Sequence, residues 1–93
     1  MKENENLMPE NWSRGVVRTI GTGIRVLRKK RNWTLWQLQC VSGISWHTLD
    51  NWETGQTAPR TDKLLWLCKT TGWKLTDILT GGKNRVESNE GGS

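Results

Sequence analysis

TLWQLQCVSGISWHTLDNWETG, residues 34–55, is the stretch whose reading decides the fold. Thr34 is a good N-cap, and Gln37 three residues on completes a capping box that opens a helix. Leu35, Leu38 and Val41 recur behind it at helical spacing. Gly43 supplies the positive φ that ends such a helix cheaply. Ser45 is a second N-cap, and the helix it opens carries Leu49 and Trp52 on one face. Trp46, His47, Asp50 and Asn51 are left on the other face, pointing away from the helix in front.

Helix, three-residue turn, helix is the layout of a DNA-reading helix-turn-helix. Any small all-α protein contains helical hairpins, so the turn alone is weak evidence. The run that follows raises it. Trp52-Glu53-Thr54-Gly55 is followed by Pro59, then by Leu64-Leu65-Trp66-Leu67-Cys68-Lys69, then by Gly72 and Leu75-Thr76-Asp77-Ile78-Leu79. In this ordered set, from about Ile20 to Leu79, the chain resembles the Cro/phage-repressor (xenobiotic-response-element) helix-turn-helix family.

The resemblance implies an all-α, compact five-helix lambda-repressor-like domain, with the reading helix over about residues 45–54 lying in the major groove of double-stranded DNA. Trp46, His47, Asp50 and Asn51 are then the base-reading residues. Asn binds adenine through two hydrogen bonds, His reaches a guanine acceptor or a phosphate, Asp accepts from a cytosine amino group, and Trp lies on a thymine methyl or a sugar. Thr34, Gln37, Ser45, Thr48, Thr54, Gln56, Thr57 and Arg60 are the DNA-backbone candidates. In the family an Arg of helix 1 pairs with the Glu that closes the reading helix, which here are Arg28 and Glu53. The implied role is a transcriptional regulator, a repressor from a phage or mobile element, working as a homodimer on its operator. Three positions depart from the family pattern: Leu35 in place of a phosphate-gripping Gln, Gln39 in place of a small residue, and Trp36 in place of a charged one.

Charge is distributed in agreement with a phosphate partner. The net charge is +5, but residues 14–33 hold seven Arg or Lys and no acid, while residues 34–59 hold only Asp50 and Glu53. The basic surplus suits nucleic acid, although surface charge of this size also serves solubility. Ninety-three residues make one small domain. Seven Trp with no Phe or Tyr are too many for so small a core, which leaves some half-exposed as contact surface. That surplus motivates a reading of another class, a protein-binding module of antitoxin or anti-repressor type.

An enzyme is not expected. His47 and Asp50 share a helical face but make two ligands rather than a metal site, and no Gly-rich phosphate loop is present. Cys40 and Cys68 lack CxxC spacing and read as reduced thiols, with Cys68 a small buried hydrophobe. No metal, cofactor or small-molecule ligand is implied, and the absence of a spanning apolar run points to a cytoplasmic protein without membrane association.

Residues 1–13 read as a flexible arm in which Pro9–Trp12 forms at most one helical turn, residues 14–81 as the folded domain, and residues 82–93 as a disordered tail. Helix 1 is expected over about Val17–Arg31, with its start displaced towards Thr22 because Gly21 and Gly23 each cost about 1 kcal/mol relative to Ala. Asn32 is a left-handed cap. Thr61 or Asp62 caps helix 4, and Trp73 packs inward while remaining, with Trp66, a contributor to a dimer surface.

Overall fold

The computed structural model describes residues 13–81, which form five helices and no strand. They are α1 (Arg14–Lys30), α2 (Leu35–Ser42), α3 (Trp46–Glu53), α4 (Thr61–Thr71) and α5 (Leu75–Thr80). The expected arm over residues 1–12, including Trp12, and the expected tail over residues 82–93 lie outside the described residues.

Most of the helix ends have a local cause. Ser13 caps α1, its Oγ accepting from the Val16 N–H at 3.1 Å. The capping box of α2 is complete: the Gln37 N–H donates to Thr34 Oγ1 and the Thr34 N–H to Gln37 Oε1. Gly43, Gly72 and Gly81 adopt left-handed φ at the ends of α2, α4 and α5, and Asn32 does so after α1, with φ 59°. The cap of α4 differs from the expectation. Arg60 occupies the N-cap position without a side-chain cap, while Asp62, inside the first turn, accepts from the Lys63 N–H.

Helix α1 starts at Arg14, well before Thr22, so the two glycines do not delay it. The reason is tertiary. Gly21 and Gly23 are buried where α1 lies against α3 and α5. A Cβ on Gly21 would stand 2.0 Å from the Trp52 carbonyl oxygen, and one on Gly23 would stand 1.7 Å from that of Ile78. Only a residue without a Cβ lets both helices approach this closely. The propensity cost of glycine is outweighed by the apolar surface the approach removes from water.

The core is one cluster joining all five helices: Ile20, Ile24 and Leu27 from α1, Leu38, Leu49 and Trp52 from the two-helix unit, Leu64 and Leu67 from α4, Trp73, and Ile78 from α5, with Ile44 of the turn. Two residues sit otherwise than helical spacing alone suggested. Val41 lies on the rim rather than inside, and Ser42 takes the inner position, donating to the Leu38 carbonyl and accepting from the Ile44 N–H. Trp73 is buried against Trp33, with the Arg31 guanidinium over both rings at 4.9 and 5.5 Å and its Nη1 donating to the Thr71 carbonyl at 2.7 Å. Trp73 therefore packs inward as expected, covered by Arg31 and Trp33 of the segment after α1, and its burial leaves no surface for a dimer contact. The basic end of α1 does more than complement its own helix dipole, because Arg31 satisfies a carbonyl at the C-terminus of α4.

These close approaches yield a contrast between glycines. Gly21→Ala and Gly23→Ala should each lower stability by about 1–3 kcal/mol or more through overpacking against backbone. Gly15→Ala, whose added Cβ meets nothing nearer than Ser13 Oγ at 3.9 Å, should raise it by up to about 1 kcal/mol. Thermal melts of the three variants check both signs.

Candidate nucleic-acid interface

The presentation of α3 is set by one guanidinium. Arg28 Nε donates to Glu53 Oε2 at 2.7 Å and Nη2 to Glu53 Oε1 at 2.9 Å, a two-point pair between the C-terminal half of α1 and the last residue of α3. Nη1 donates to the Trp33 carbonyl at 2.7 Å, so the same group also holds the α1–α2 connection. The side chains are 11% and 4% exposed, which keeps the pair from being a screened surface contact. The hydrogen bond to Glu53 is the main influence holding the Arg28 guanidinium more firmly protonated than usual, with burial opposing it.

The N-terminus of α3 is closed internally. Ser45 Oγ accepts from the His47 N–H at 3.2 Å. Gln39 Oε1, reaching across from α2, accepts from the Trp46 N–H at 2.7 Å. This accounts for Gln39 where relatives carry a small residue. It serves as a second cap for α3, a role invisible at a separation of seven residues. With two orphan donors satisfied, α3 meets a partner through side chains rather than through those amides.

The outward face is as the helical spacing demands. Trp46 and His47 are exposed in the first turn, Trp46 at 44%, with their rings 5.5 Å apart; Asp50 and Asn51 are half-buried one turn on. Leu49 and Trp52 are buried on the opposite side. The four polar and aromatic groups thus form one surface on a helix whose other side is anchored in the core.

The eight backbone candidates fall into three groups. Thr34 and Gln37 are exposed, and their capping box engages only their acceptor oxygens, so the hydroxyl hydrogen and the amide NH2 are what they offer a phosphate. Ser45 and Thr48 stand at the start and on the flank of α3. Thr54 donates its hydroxyl to the Asp50 carbonyl at 3.0 Å, which turns that donor inward. In the loop after α3 the amides of Gln56 and Thr57 both bond to the Asn51 carbonyl, leaving their exposed side chains as the outward groups. Arg60 is exposed and 3.4 Å from Asp62.

Two features escaped the sequence reading. Trp66, half-exposed, donates its Nε1–H to the Ser42 carbonyl at 2.7 Å, so its ring is locked against the end of α2. A cleft of about 460 Å³ lies between α3 and the start of α4, with Ser45, Thr48, Arg60, Lys63 and Trp66 in its walls. The i, i+3 spacing of Arg60 and Lys63 was the available signal. Among the described residues no three His, Cys, Asp or Glu side chains gather as a metal site, and no helix is long and apolar enough to cross a membrane. Burial raises the Cys68 thiol above its ordinary value, with Asp77 contributing, consistent with a half-buried apolar role.

A family model described as the Cro/C1-type HTH DNA-binding domain matches residues 23–81. No curated protein and no solved structure matches the chain.

Removing either partner of the Arg28–Glu53 pair leaves the other charge buried and unmatched. Arg28→Ala and Glu53→Ala should each cost roughly 3–5 kcal/mol. Chemical denaturation of the two single variants measures this, and unchanged unfolding midpoints would contradict it.

Proposed function

This chain belongs to the Cro/C1-type HTH DNA-binding family, and we propose that it is a sequence-specific regulator of transcription that reads a duplex operator through the outward face of α3. The observation that carries the reading is the placement of Trp46, His47, Asp50 and Asn51 on one surface of a helix whose opposite side is locked by Leu49, Trp52 and the Arg28–Glu53 pair. A rigid helix with four side chains of different hydrogen-bonding character on one side suits the major groove, where each base pair presents a distinct pattern. Thr34, Gln37, Ser45, Thr48, Gln56, Thr57 and Arg60 flank that surface as backbone contacts. The binding unit is residues 14–81, and the action is repression through occupancy of the operator, in the manner of a phage or mobile-element regulator.

The protein works as a homodimer on DNA. One reading helix spans only a few base pairs, too few for useful discrimination, whereas two-fold pairing doubles the readout. A surface suited to self-association lies away from the face of α3. Val16, Leu65, Leu75 and Leu79 are exposed apolar residues around a groove of about 210 Å³ that Ile20 and Leu64 floor. A two-fold axis through such a patch buries it against its own copy. The competing reading, a protein-binding module, rests on Trp36, which is 60% exposed on α2 with the exposed Cys40 one turn on. Affinity that falls steeply with salt favours DNA; association indifferent to salt favours the module.

Selection of binding sites from random duplexes, followed by variants, tests the reading. Asn51→Ala should cost about 1–3 kcal/mol of operator affinity and relax choice at one base pair. Unchanged preference after replacing both His47 and Asn51 by Ala would put the protein-binding reading ahead. Footprinting on the selected operator should show two half-sites about 34 Å apart. A single asymmetric footprint with one chain per duplex would sink the dimer.

A further inference from the structure

We propose that the exposed face of α1 is a docking surface for a second segment of duplex DNA, gripped by a row of four cations, Arg14, Arg18, Arg25 and Lys29. The proposal rests on the DNA-reading role of α3 for the first segment and adds a contact on another helix. The seven cations of residues 14–33 divide by their partners. Arg28 is held by Glu53, and Arg31 by the Thr71 carbonyl and two indole rings. Arg14, Arg18, Arg25 and Lys29 are exposed, and among the described residues none of them stands in an ion pair. At ~100° per residue the four fall within about 60° of arc around α1, with the exposed Thr22 at the edge of the row. At a rise of ~1.5 Å per residue the row is ~22 Å long.

The row works against the stability of its own helix. Arg14 is the first residue of α1, where the positive end of the helix dipole disfavours a cation, and no acid stands in that turn. Arg14 with Arg18, and Arg25 with Lys29, are like charges at i, i+4, which repel one another. The dipole accounts for Lys29, in the last turn, and for none of the three arginines. A surface charged for solubility mixes both signs, whereas this row has one. A polyanion laid along the row removes both costs.

The chemistry of the row selects a nucleic-acid backbone. Protein interfaces are centred on aromatic and aliphatic anchors, and the row contains none. A membrane surface needs an apolar face beside the cations, and the apolar side of α1, Ile20, Ile24 and Leu27, is in the core. A duplex carries one negative charge per ~1.7 Å of its axis, so a row of this length runs past about a dozen phosphates. The three guanidinium forks match phosphate oxygens in two-point contacts. Beside the row, a groove of about 300 Å³ between α1 and the end of α5 has Arg18, Thr19 and Thr22 in its walls, and the two hydroxyls add donors next to Arg18. The duplex on the row is a second one because α1 and α3 turn their apolar sides to the same core. Their outer faces look away from it in different directions, so DNA lying on α3 leaves the row open.

The test uses the full chain and two duplexes, a selected operator fixed to a surface and a labelled scrambled duplex in solution. An operator saturated with wild-type protein should retain the labelled duplex, and retention should fall steeply as salt rises. Arg14→Gln together with Arg18→Gln should leave operator binding as in the wild type, weaken retention about tenfold and flatten its slope against log salt by about 1.8, or about 0.9 for each charge. Arg14→Lys together with Arg18→Lys should keep retention and slope. Lys30→Gln together with Lys69→Gln removes as much charge outside the row and should change neither. Thermal melts confirm that each variant is folded. Wild-type protein that saturates the operator and retains no second duplex, a glutamine row variant that retains it fully, or a control with an equal loss would overturn the proposal while the α3 reading stands. A row variant weakened on the operator itself would place the row on the operator's own flank, and full displacement of the labelled duplex by poly-L-glutamate of equal charge would give the row to an acidic protein; either result overturns the second duplex. A chain that binds all duplexes without preference, and loses that binding in the row variant, would overturn the α3 reading alone.

Discussion

Everything the outward face of α3 offers depends on where Arg28 holds it. The guanidinium reaches the last residue of α3 through two hydrogen bonds and the α1–α2 connection through a third. The connection just after α1 and the distant end of α3 are fixed to one planar group, and the pair is shielded from solvent. A Lys would supply one charged point where the site uses a fork. The orientation of α3 is thus an electrostatic and geometric decision made within α1, outside the two-helix motif itself.

Glycine sets the distances that Arg28 then fixes. Without side chains at Gly21 and Gly23, α1 seats directly against the carbonyl of Trp52 at the end of α3 and against that of Ile78 in α5. The end of α3 is thereby gripped from two sides, by contact at Gly21 and by charge at Arg28. Gln39 adds a hold at the other end by capping the Trp46 amide. A helix of eight residues has little stability of its own, and these external contacts supply its rigidity.

Charge is divided from shape in the same economical way. The motif that would read bases carries no Lys or Arg, and the cations sit on the helices around it, in α1 and at the start of α4. Phosphate contacts position a protein and base contacts specify its site, so under the proposed function that division would separate affinity from sequence choice. With its N-cap, α4 exposes Arg60, Lys63 and Trp66 while burying Leu64 and Leu67.

The sequence by itself determined the helix-turn-helix and the all-α class. The capping box at Thr34, the N-cap at Ser45 and the left-handed glycines act within a few residues, and local rules read them correctly. The outward face of α3 was legible because Leu49 and Trp52 leave only one side for Trp46, His47, Asp50 and Asn51. What the tertiary structure decided has a common physical cause, contact between residues far apart in the chain. The start of α1 at Arg14 was misread because Gly21 and Gly23 obey packing rather than propensity. Trp73 packs inward as its position suggested, and what covers it, Arg31 and Trp33, is a tertiary choice. Gln39 and Trp66 acquired partners seven and twenty-four residues away, and the cleft that joins Thr48 to Lys63 exists only once α3 and α4 are side by side. Periodicity specifies which face of a helix is apolar, whereas the distance at which two helices meet depends on both surfaces at once.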